Sequence, residues 1–151
     1  MDEDAYRTVY DRVNHRRCVF EKAINNRRCD CEKEERKLIA TREAIGCFGD
    51  KELAQCCEFL DTMRHNARFS LKVVSIEGPL PHNKELQVQA GGCLELQSLL
   101  VDQVLLDDTS NNIFAILTAA IKQYNNIQTI PYSEIVRGIV TYKSRPKRKP
   151  K

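Results

Sequence analysis

Tryptophan is absent from this 151-residue chain, and only 7% of its residues are aromatic, so its core must rest on Leu, Ile, Val and Ala. Glycine and proline are sparse, 6 and 5 respectively, and they are rarest before residue 78. Little there interrupts regular structure. No apolar run approaches the ~20 residues of a membrane span. The longest apolar stretch, Ile113 to Ile121, is about half that and is broken by Thr118. The opening residues, MDEDAYRTVYDRVNHRR, hold no apolar segment and no small-residue cleavage site, so a reducing, cytoplasmic setting without membrane contact is expected.

Several catalytic signatures are missing too. There is no H-E-x-x-H, no P-loop and no G-x-S-x-G. No E-x-x-H occurs, which argues against a di-iron carboxylate bundle. The three histidines, His15, His65 and His82, pair with no carboxylate at ligand spacing. The expectation is therefore a protein that is not an enzyme. Length points to one domain, and 42% hydrophobic with 30% charged residues is ordinary for a globular chain.

What the sequence does have is cysteine. Six of seven lie between Cys18 and Cys57, and Cys18, Cys29 and Cys31 form a C-x10-C-x-C pattern. Free thiols crowded in a reducing compartment suit a soft metal. Arg16-Arg17 and Arg27-Arg28 precede Cys18 and Cys29, and neighbouring cations favour the thiolate, the metal-binding form. Cys29 and Cys31 sit in the polar segment RRCDCEKEE, where nothing apolar explains them. Zinc sites favour two C-x2-4-C knuckles, and here there is one C-x-C with no second knuckle unless Cys56-Cys57 serves. The spacing thus leans towards an iron–sulfur cluster, of the 4Fe-4S kind, with structural zinc as the alternative. The expected ligands are Cys18, Cys29, Cys31 and Cys47, with Cys56 as the rival for fourth place. Cys57 and Cys93 fall on apolar helical seams and read as core residues.

Apolar spacing by threes and fours predicts an all-α, single-domain bundle of about six helices. The helices are expected near residues 4–26, 33–45, 50–74, 84–105 and 112–124, with a last one beginning near Pro131 and capped by Thr129. Asp50 reads as an N-cap and Gly46 as a helix terminator. Gly91-Gly92, inside a helix, implies close approach of another backbone or a kink. A connector, residues 75–83, divides a cysteine-rich half (1–77) from a packing half (84–142). Residues 143–151, KSRPKRKPK, carry six Lys or Arg and read as a disordered basic tail. Arg64, Arg68 and Lys72 recur at intervals of four as a basic stripe.

Two functions are open at this point. One is a small iron–sulfur protein that carries electrons, or delivers its cluster, to a protein partner. The other is a regulatory or interaction module, with structural zinc or a redox-sensing cluster, that binds nucleic acid or an acidic protein through the tail.

Overall fold

The computed structural model describes residues 2–73, 80–100 and 112–142. The basic tail and most of the connector lie outside the described residues. In order come α1 (Glu3–Val13), α2 (Glu21–Asn25), β1 (Glu34–Ile39), β2 (Arg42–Cys47) and α3 (Asp50–Ala67). Then follow α4 (His82–Leu86), a π-turn (Gln87–Gly91), α5 (Gly92–Leu99), α6 (Ile113–Tyr124), a 3-10 turn (Ile127–Thr129) and α7 (Tyr132–Thr141).

The all-α expectation is wrong. Of the described residues 62% are helical, but residues 34–47, which overlap the helix expected at 33–45, form an antiparallel hairpin. Glu34 pairs with Cys47 and Ile39 with Arg42, and Ala40 makes the turn with φ 55°. Its Glu, Lys and Arg content favours helix, but burial decides otherwise. Ala44, Ile45, Gly46 and Cys47 are all buried, between α2 and α3. Leu38, on β1, is 74% exposed. Gly46 ends no helix. A Cβ there would lie 2.7 Å from Asn14 Oδ1 and 3.2 Å from the Arg16 carbonyl, so only glycine lets that segment close on the strand.

The first helix also stops early. Asn14 leaves the helical conformation and donates its side-chain amide to the Ile45 carbonyl at 3.1 Å. Residues 14–20 then run beside β2, with Arg17 bridging Gly46. Helix resumes only for Glu21–Asn25, where Phe20, Ala23 and Ile24 enter the core. A buried tertiary hydrogen bond has outweighed local helical periodicity.

α3 follows its expected seam through Leu60, Met63 and Ala67, with Phe59 beside them. Gly49 is its N-cap, and Asp50 lies in the first turn, where a carboxylate suits the helix dipole. The predicted close approach at Gly91-Gly92 occurs. A Cβ on Gly91 would stand 2.8 Å from Tyr142 Cβ and 3.2 Å from Ile139 Cα, and one on Gly92 2.3 Å from Met63 Sδ. α7 and α3 therefore pack directly on this segment. The π-turn is fixed by Gln89, which accepts from Ala23 N at 3.0 Å and donates to the Val19 carbonyl at 3.1 Å. Gly91→Ala should cost about 1–3 kcal/mol by overpacking, measured by urea unfolding; an unchanged midpoint would mean that the contact relaxes freely.

Asn112 caps α6, accepting from Ala115 N. Pro131 precedes α7, while Thr129 does not cap that helix; it pairs reciprocally with Asn126 around the 3-10 turn. One buried cluster draws on both sides of the connector, from Phe20 and Ile24 to Ile135 and Ile139. Among the described residues no helix is long and apolar enough to cross a membrane.

Candidate metal centre

Four cysteines from four separate segments border one small cavity: Cys18, Cys31, Cys47 and Cys56. The hairpin sets the first three. Cys47 ends β2 opposite Glu34. Cys18 lies alongside, its N–H donating to the Ile45 carbonyl at 2.9 Å while Cys47 N–H donates to the Arg16 carbonyl at 2.8 Å. Cys31 opens the turn into β1, its carbonyl accepting from Glu34 N at 3.1 Å. Cys56 reaches in from α3, about two turns beyond its start. The void is about 20 Å³, with Phe20, Ile113 and Phe114 also in its lining.

Backbone amides are aimed at two of the sulfurs. Phe20 N–H donates to Cys18, and Lys33 N–H and Phe114 N–H donate to Cys31. The donor from α6 is placed by a dock. Ile113 N donates to the Asp30 carbonyl at 2.8 Å, and Asn112 exchanges hydrogen bonds with Glu32. A neutral thiol is a weak acceptor; N–H groups converging on sulfur favour the thiolate. Burial acts the other way. It pushes Cys18 up to about 12, with the Phe20 N–H opposing and Cys31 and Cys47 adding repulsion. Cys56 is raised by burial first, and then by Cys18, Cys31 and Cys47. Burial raises Cys31 against its two amides. Four thiolates cannot share this space without a cation.

As the side chains stand, the sulfurs line the void without enclosing a common point. Among the described residues no three His, Cys, Asp or Glu form a group that could hold a metal ion. Cys47 is turned aside, its thiol donating to the Gly49 carbonyl at 3.3 Å.

Three of the four expected ligands, Cys18, Cys31 and Cys47, thus come to one place, and Cys56 joins them. Cys29 does not. It is buried in the main core, where its thiol is hydrogen-bonded to that of Cys93; this contact and burial raise Cys93 strongly. The C-x-C therefore serves two environments. Cys57 is partly exposed beside Asp61 and Arg64. Cys29→Ala and Cys93→Ala should each leave metal content at the wild-type level and cost about 1–2 kcal/mol as small core truncations; metal loss in either variant would place that thiol in the centre.

Sequence reasoning missed the supports. Glu21 accepts from Ile45 N at 2.8 Å and from the Tyr10 hydroxyl, tying α1 and α2 to β2. Arg64 is not part of an open basic stripe. It lies 11% exposed, its Nε 2.6 Å from the buried carboxylate of Glu85. Glu85 also accepts from Leu80 N and Gln89 Nε2. No local pattern marks Glu85, because its partners are 5 residues away or more distant, apart from Gln89.

No protein-family model, curated protein or solved structure matches this chain.

Proposed function

We propose that the chain is a non-catalytic interaction module held together by one zinc ion on Cys18, Cys31, Cys47 and Cys56. The observation that carries this reading is the convergence of those four side chains, from a loop, a turn, a strand end and a helix, on one void of about 20 Å³. That is room for about one water-sized sphere. A single ion with sulfurs at about 2.3 Å suits it better than a four-iron cubane. The three amide donors supply the outer hydrogen bonds that steady thiolate ligands. Rotation of Cys47 between staggered wells, off the Gly49 carbonyl, would bring the last sulfur round. Four protein ligands leave no open position for substrate, which fits a structural rather than a Lewis-acid role.

The test is metal analysis of protein purified without oxygen. One zinc per chain, no acid-labile sulfide and no absorbance near 400 nm are expected. Iron with labile sulfide, in a brown protein bleached by dithionite, would restore the electron-transfer and cluster-delivery reading. A protein that refolds fully without metal would remove both.

A further inference from the structure

We propose that the C-terminal end of α3 is a docking platform for single-stranded nucleic acid, with Phe69 stacking a base and Arg68 and Lys72 meeting phosphates. This surface is separate from the cysteine centre, and the inference does not depend on which metal occupies it.

Phe69 is 79% exposed, so a full aromatic face stands in water. The Arg68 guanidinium lies 4.6 Å from the centre of that ring, which holds the ring and places positive charge beside it. Arg68 Nε is buried with no hydrogen-bond partner among the described residues. Neither Arg68 nor Lys72 pairs with a carboxylate among the described residues, whereas Arg64, one turn back, is consumed by Glu85. Two cations without a carboxylate partner among the described residues, flanking an exposed ring, combine charge for a phosphate backbone with a π-face for a base.

The backbone adds a further sign. Val73 N donates to the Arg68 carbonyl at 2.9 Å and Lys72 N to the Phe69 carbonyl at 3.1 Å, the double closure of a helix whose next residue turns left-handed. That residue is Lys72, with φ 57°, where glycine is the usual occupant. The turn thus closes the helix on a lysine rather than a glycine. Arg68, Phe69, Lys72 and Val73 border one open surface recess. A stacked duplex hides its base faces, so one ring with two cations fits a splayed base on a single strand.

The test is fluorescence anisotropy of the full chain with labelled 12-nucleotide single-stranded RNA, single-stranded DNA and the matching duplex, across about 50–200 mM salt. Both single strands are expected to bind more tightly than the duplex; a difference between them tells which backbone is preferred. Phe69→Ala should weaken single-strand binding about tenfold with the salt dependence unchanged. Lys72→Gly relieves the left-handed backbone, so it should keep or raise the thermal midpoint while flattening the log K against log salt slope by about 0.7. Metal content should be wild-type in both, which separates failure here from failure of the centre. The proposal is overturned if both variants bind as wild type does, if the duplex binds as tightly as single strands, or if deleting residues 143–151 abolishes binding that Phe69→Ala leaves intact. It is equally overturned if polyglutamate competes with the oligonucleotide and Phe69→Ala does not alter that competition, since the surface would then be a site for acidic protein.

Discussion

Cys47→Ser is expected to abolish stoichiometric metal retention and to lower the thermal midpoint by on the order of 10 °C or more. A serine hydroxyl does not become an anionic ligand near neutral pH, so the fourth bond of the proposed centre is lost. The folding free energy in such a site is largely metal-binding free energy, which in small zinc domains is about 10–16 kcal/mol. Even several kcal/mol is a large share of the roughly 5–15 kcal/mol that holds a domain together. For a chain of this size each kcal/mol moves the midpoint by about 2–4 °C. The damage should be local first. Cys47 closes β2 against Glu34 and, through its N–H, against Arg16, so the hairpin and the loop carrying Cys18 should loosen together. Amide exchange would show residues 14–20 and 34–47 losing protection ahead of the α5–α7 packing. Chelation of the wild type should reproduce the pattern, and the sulfurs raised by burial should make metal uptake release protons and weaken as pH falls. A Cys47→Ser protein with full metal content and an unchanged midpoint would sink the tetrathiolate assignment.

Glu85→Leu should cost about 3–5 kcal/mol, the usual penalty for orphaning a buried charge. Among the described residues, the 11% exposed Arg64 side chain would keep the peripheral Asp61 contact at 3.0 Å as its one carboxylate partner. Leu80 N–H would lose its acceptor, and Gln89 one of its contacts. Because Gln89 also fixes the π-turn to α2, the break should spread to Val19 and Ala23. Removing both charges, Arg64→Met with Glu85→Leu, should recover most of the loss, since apolar replacements of a buried pair are often neutral or stabilising. Urea unfolding of both single variants and the double closes the cycle. Additive effects would mean that the two side chains do not act as a pair.

The parts of this fold that were legible in the sequence are those in which local pattern and tertiary need agree. The α3 seam through Leu60, Met63 and Ala67 is one, and α6 with its Asn112 boundary is another. The Gly91-Gly92 pair announced a tight contact because glycine inside a helix is costly unless something must come close. The hairpin was not legible. Its residues are good helix formers, and its two-residue turn, Ala40-Thr41, carries none of the Asn, Asp or Gly that usually signals one. The candidate centre was half legible. Crowded cysteines pointed to a thiol site, but spacing alone could not separate Cys31, which lines the void, from Cys29, two residues away, which hydrogen-bonds to Cys93.

By itself the sequence determined that thiols would be concentrated between residues 18 and 57 of a helix-rich chain, because composition and periodicity are properties of the string. Only the tertiary structure decided which cysteines border the void. That choice depends on the strand register, on the Asn14 break that lays Cys18 beside β2, and on α6 docking at Asp30 across more than 80 residues of chain. Those are contacts between distant segments, won by burial and backbone hydrogen bonding over local preference, and no spacing rule along the chain encodes them.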